Sequence, residues 1–433
     1  MDLIGTTEVV PCYKTARRMS FFAICGAGLN RRGMRASASA AIALGLLALT
    51  ACRPHDFPQY PANYREYAYV TNQGSSTVTV LDVVNVRLDR ELPVGENPVA
   101  VAANPTRNEV YVLNAGAPGG QGSISVIDCE HNAVVATIPV GRTPAAIDVD
   151  AKGKLAYVAN RGSNSVSVVD LESRRPVTQI GVGEEPDALS LSPDGKTLVV
   201  ANWGGDSVTL IDAETAQLRA IVEGCAGAAS PVILPDSSKA FVACSGGHQV
   251  MAIALAKSPA KPLTDAQPAT DAPPATTDKL ETLMDVGRAP VHLALKPDGG
   301  EVFVSNSQSD SVSEIYATTD EVGDTYMIGE DPVMGLVSRD NSVLYEANLH
   351  SPDVTVYSID DGKRIGSVHV GDGPIAMAFS GAGHLLFVVD SRSDDVAVVR
   401  TASGSLRGQI PLFTMLPAGR NPGAIVVKAF RVK

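Results

Sequence analysis

A phrase that returns at near-constant spacing constrains this chain more than its length does. Residues 157–170 read YVANRGSNSVSVVD, and close copies recur along the sequence. Aligned on the residue that ends each YVAN-like run, they fall at Asn72, Asn114, Asn160, Asn202, Cys244, Asn306, Asn348 and Asp390. The successive spacings are 42, 46, 42, 42, 62, 42 and 42 residues. A fixed period of this size is the mark of stacked units, none of which is stable alone. Both exceptions carry visible insertions. The 46 contains GAPGGQG (116–122), and the 62 contains a Pro/Ala/Thr tract (257–279) too poor in apolar side chains to order itself.

Each unit opens with G-x-x-P, placing prolines at 98, 144, 186, 290, 332, 374 and 422, with Pro231 in a longer variant. One unit then parses as an apolar run (DALSLSP, 187–193), a turn at Asp194-Gly195, and a second run (TLVVAN, 197–202). A Gly/Ser loop leads to an alternating third run (SVTLID, 207–212) and a fourth (LRAIVEG, 218–224). Four short strands per repeat, bounded by Gly, Pro and Asp turns, describe one blade of a β-propeller. The first YVTN (69–72) lacks a preceding G-x-x-P strand, and the last such strand (419–430) lacks a blade after it. Pairing the two closes the ring and removes its open edges. The expected fold is all-β, a single propeller of eight blades over residues 66–433, with seven as the alternative if one unit is degenerate.

These repeats resemble the YVTN family of bacterial and archaeal β-propeller repeats, from Tyr64 to Phe430. The resemblance implies a propeller, commonly seven-bladed, and conveys fold better than function. YVTN repeats are also similar to the haem-binding domain of dissimilatory nitrite reductase and to quinoprotein dehydrogenase subunits. A haem- or quinone-linked redox role and a lactonase-like hydrolase are therefore the alternatives to a non-enzymatic binding protein.

The N-terminal segment suggests an address. Residues 31–52 carry Arg31, Arg32 and Arg35, then an apolar run ending Leu49-Thr50-Ala51-Cys52. This is the layout of a signal peptide (1–51, of which 1–33 read as an over-extended start). The ending resembles the lipobox of bacterial lipoproteins, which implies lipidation of Cys52, a tether over 52–65 and anchoring by the lipid. Arg53 after the Cys favours the outer membrane, so the expectation is a cell-envelope lipoprotein. The net charge is −12, and cutting at Cys52 leaves 29 basic against 45 acidic residues, or −16. Such a field repels nucleic acid. A monomer that meets a protein or glycan partner is expected.

The loops before the first strand and after the second share one face of a propeller. Candidate contact residues there are Arg161, Trp203, His248, His350 and Arg392, with His292 on a channel-lining strand. The residue after each G-x-x-P glycine alternates in sign around the ring: Arg420, Glu96, Arg142, Glu184, then Arg288, Glu330 and Asp372. Neighbouring ion pairs are the expectation for that ring. The repeat Asn, and Asp82, Asp128, Asp170, Asp212 and Asp360 at the third-strand ends, are read as binding turn and loop backbone. A site shared by the three histidines would suit a metal or haem, although C-x-x-C-H is missing and no cofactor is predicted. Asp390, Asp394 and Asp395 have the oxygen ligands for Ca²⁺ but read as a solvated acidic turn. Cys12 and Cys25 precede the signal. Cys225 and Cys244 lie at one end of one blade and are expected to form a disulfide; Cys129 is expected to be buried.

Overall fold

The computed structural model describes residues 58–256, 277–401 and 411–432. The expected signal peptide, Cys12, Cys25, Cys52, tether residues 52–57 and most of the insertion lie outside these residues. The described ends of both segments are already ordered chain: the first strand begins at Tyr64, and the strand after the insertion begins at Lys279. Tyr60 stacks on Tyr64 with ring centroids 4.6 Å apart.

Among the described residues, 32 strands form eight four-stranded antiparallel sheets. Blade 1 combines 64–93 with 422–431. Blades 2 to 8 cover 98–142, 144–181, 186–223, 228–285, 290–327, 332–369 and 374–417. The innermost strand of each blade touches those of both neighbours, so the ring closes. Closure uses the terminal strands, with Tyr64 opposite Arg431 and Val70 opposite Ile425. The eight-bladed reading of the repeat is therefore correct.

Burial follows strand position. Inner strands are half-buried because one side faces the channel, as in Pro144–Val149. Second and third strands, such as Leu155–Asn160 and Ser165–Asp170, are almost wholly buried, since both faces meet neighbouring blades. Fourth strands such as Arg175–Gly181 are exposed. The aromatic residue of the repeated phrase (Tyr69, Tyr111, Tyr157, Phe241, Phe303, Tyr345, Phe387) is buried in each blade that has one. Tyr157 packs with Val166 of its own blade and with Leu198 and Val200 of the next. The core therefore lies between blades, which is why the repeat needs its neighbours.

Candidate functional site

The two halves of the repeat meet at the loop end of each blade. The G-x-x-P glycine lies directly over the Asn that ends the second strand. A Cβ on Gly141 would stand 2.4 Å from Asn160 Cγ, one on Gly287 2.6 Å from Asn306 Cγ, and one on Gly329 2.4 Å from Asn348 Cγ. Beneath the glycine, Asn160 Nδ2 donates to Ser167 Oγ (2.9 Å) and Asn202 Nδ2 to Thr209 Oγ1 (2.8 Å). The Asn therefore clasps the third strand, with side-chain hydroxyls as its main partners, rather than the loop backbone expected from its turn-like type. The third-strand Asp residues do hold turns: Asp170 accepts from the N–H of Glu172 and Ser173, and Asp212 from that of Thr215. Asp360 does not. Its strand ends at Ser358, whose Oγ accepts from Asp361 N–H instead.

Two loop positions finish the junction. The serine three residues after the Asn accepts the backbone N–H of the charged ring residue: Ser163 from Arg142, Ser309 from Arg288, Ser351 from Glu330, Ser393 from Asp372 and Ser75 from Arg420. The next residue is left-handed and reaches the following blade. Asn164 accepts Glu185 N–H, Asp206 accepts Gly227 N–H, Asp310 accepts Asp331 N–H and Asp394 accepts Asn421 N–H. In blade 5 that place is His248, whose Nδ1 accepts Ala289 N–H at 3.2 Å. His248 is thus an inter-blade link, a role visible in the alignment as its position four residues after Cys244.

The charged ring does not form the expected neighbour pairs. Glu96, Arg142, Glu184, Arg288, Glu330, Asp372 and Arg420 are all exposed. Among the described residues only Asp372 has an ionic partner, Arg392 at 3.8 Å. The serine bond anchors five of these residues by the backbone while their side chains stay exposed, Arg288 also donating to Gln308 O. Inter-blade charge contacts fall to neighbours in the loops. Arg161 meets Glu185 (3.5 Å) and Asp187 (3.4 Å) of blade 4. His350 Nδ1 meets Asp331 (2.8 Å), and its Nε2 faces Arg392 Nη2 of blade 8 (3.3 Å). Trp203 is 37% exposed and packs towards Gly227 of the next blade.

The three histidines do not converge. His350 has both ring nitrogens engaged and His248 links blades. His292, on the inner strand Pro290–Leu295, accepts Gly335 N–H through Nδ1 at 3.2 Å. Burial lowers its pKa to about 4, so it is neutral and carries its proton on Nε2. Ser230 and Met334 play the same part beside it, accepting N–H of Leu293 and Met377. Among the described residues no group of three or more His, Cys, Asp or Glu is placed to hold a metal ion. The residues present do not fit a shared metal or haem site.

Three departures from the repeat are buried. Cys225 and Cys244 form a disulfide, with Cα atoms 4.7 Å apart, where six of the other blades use the Asn clasp. Asp390 replaces the Asn of blade 8, is fully buried and lies opposite Asp395. Gly371 N–H and the Asp395 carboxyl stand beside it without closing a regular hydrogen bond, and burial first, then Asp395, pushes its pKa to about 8. This corrects the reading of a solvated turn. Glu346 replaces the second-strand Val of the other blades. It fits because its cross-strand partner is Gly335, where a Cβ would lie 2.6 Å from Glu346 Oε2. Neither carboxyl oxygen has a regular partner, Ser305 only approaches, and burial pushes the pKa to about 8. Cys129 is buried and free, its thiol raised to about 12 by burial.

Compared with known proteins, residues 62–234 match the family described as "Lactonase, 7-bladed beta-propeller". "Uncharacterized protein YncE" of Salmonella typhi and of Salmonella typhimurium is 34% identical over 92 residues, 21% of this chain. The match spans only a quarter of the length of those curated relatives. A putative 6-phosphogluconolactonase from Bacteroides uniformis superposes with a TM-score of 0.58 at 12% identity, over 84% of this chain and 100% of that one. Dihydro-heme d1 dehydrogenase NirN in complex with DHE superposes with a TM-score of 0.57 at 16% identity, over 87% and 74%. At such identities the superpositions speak for the fold alone. Repeat and ring closure make the chain an eight-bladed β-propeller, similar over residues 62–234 to a family described as seven-bladed and over 92 residues to YncE.

Proposed function

We propose that this protein is a lipid-anchored, extracytoplasmic binding propeller that recognises a protein or glycan partner through its loop face without catalysing a reaction. The observation that carries the reading is the half-exposed Trp203, set on a clasped and cross-linked rim beside the Arg161 cluster. The His350–Arg392 network lies across the ring on blades 7 and 8. A rigid, part-exposed aromatic beside a guanidinium is a common anchor for binding. The LTAC ending after an apolar run supports the membrane address.

The test is binding of the purified protein to a glycan array and to isolated envelope proteins, with Trp203→Ala and Arg392→Ala as comparators. The reading expects saturable binding that weakens tenfold or more, to order of magnitude, without Trp203. Turnover of lactone substrates would overturn it. So would a Soret band on haem titration that disappears in His292→Ala.

A further inference from the structure

The insertion that lengthens one repeat also builds a pocket. Residues 116–122 extend the third and fourth strands of blade 2 to Gln121–Asp128 and Ala133–Arg142, with Gln121 paired to Arg142. The corresponding strands of blade 4 have 6 and 7 residues. The longer pair overhangs blade 3 and borders an open cleft of about 520 Å³ against its exposed outer strand, Arg175–Gly181. That volume lies within the range of small-molecule sites, ~300–1,000 Å³.

The lining has two chemistries. Pro139, Pro176 and Val177 supply an apolar side, and Val177 is 62% exposed. Arg142, Gln121 and Thr178 supply the polar side, and none of their side chains has a hydrogen bond or ion pair among the described residues. No carboxylate lines the pocket, in a chain whose net charge is −12. A lone guanidinium in such a setting favours an anion, and a planar fork favours a carboxylate.

We propose that the cleft between blades 2 and 3 binds a carboxylate carried on a hydroxylated ring, the chemistry of an acidic sugar unit. Arg142 holds the carboxylate, Gln121 and Thr178 meet ring hydroxyls, and Val177 with the two prolines covers the C–H face. This site opens between outer strands and does not depend on the loop-face reading.

The purified protein is titrated with glucuronate, a glucuronate-bearing disaccharide, glucose and acetate, by calorimetry and saturation-transfer NMR. Arg142→Ala and Val177→Asp serve as variants. Both side chains are exposed, so wild-type melting temperatures are expected for both variants. Glucuronate is expected to bind saturably and about tenfold or more tighter than glucose, with a similar loss in Arg142→Ala and none detectable in Val177→Asp. Tighter binding of the disaccharide points to a glycan terminus, and equal binding to the free acid. Trp203→Ala is expected to leave this affinity unchanged, so the two proposals fail separately. The inference is overturned if glucose or acetate matches glucuronate, if none binds into the millimolar range, or if both variants bind as the wild type does.

Discussion

In blade 3 the second strand ends in Asn160, which donates to Ser165 and Ser167. In blade 8 the same place holds Asp390, facing Asp395 and, further along the strand, Ala397. The backbones are equivalent and the chemistry is not. An amide clasp is indifferent to pH, whereas a buried carboxyl fits only while it keeps its proton. Blade 7 keeps its Asn348 clasp but buries Glu346 two residues earlier on the same strand, and blade 5 replaces the clasp by a disulfide. The buried carboxyls therefore add pH sensitivity in blades 7 and 8, and the disulfide adds redox sensitivity in blade 5, to a ring otherwise held by Asn clasps.

The largest expected break in that comparison is with pH. Glu346 titrates near 4.5 when unfolded and about 8 when folded, and Asp390 near 3.8 and about 8. Between these values the folded state retains protons that the unfolded state has released. Each group's contribution is complete below its unfolded value, is lost as pH rises towards 8 and is level beyond, at ~1.4 kcal/mol per pH unit at most. Denaturant melts from pH 5 to 9 should show Glu346→Gln and Asp390→Asn increasingly more stable than wild type, by several kcal/mol at the top of that range. Parallel curves would break the account of these two blades.

The disulfide comes next. Its reduction, or Cys225→Ser with Cys244→Ser, should cost ~2–4 kcal/mol in guanidinium melts. Cys244→Asn with Cys225→Ser should not recover that loss, because the hydroxyl that the Asn meets in other blades is here the buried Met251; recovery would show that the clasp does not need it. A smaller effect is expected at Ser163→Ala, which leaves Arg142 N–H without its acceptor, at ~0.5–1.5 kcal/mol. The smallest is Arg161→Ala, whose partners are exposed carboxylates, at ~0–1 kcal/mol and fading with salt.

Blade count and ring closure were legible in the sequence because both follow from spacing: strand, turn and strand repeat in register, and the termini supply complementary pieces. The disulfide was legible because both cysteines occupy one end of one aligned unit. The ring of charges was misleading, since alternation of sign records neither where a side chain points nor that its backbone is held by Ser163 or Ser309. His248 looked like a ligand because its type was weighed before its column, where Asn164, Asp206 and Asp310 do the same work. Glu346 was visible as a lone acid in a Val column. Its meaning needed the facing Gly335, which only strand register supplies. The pocket was written in the spacing of 46, but its walls come from outer strands of two blades, which no single repeat shows.

The central claim is that the repeat exists to place a glycine on an Asn in each regular blade. It is tested most directly by a double-mutant cycle at Gly141 and Asn160, where a Cβ would stand 2.4 Å from the amide carbon. Gly141→Ala alone should cost ~1–3 kcal/mol by overpacking. In an Asn160→Ala background the part of that cost due to the amide should vanish, while Ser163 Oγ and the Cβ of residue 160, both at 2.7 Å, remain, giving a coupling energy of ~1 kcal/mol. Additive costs would contradict the claim, and would mean that the glycine and the Asn recur together for unrelated reasons.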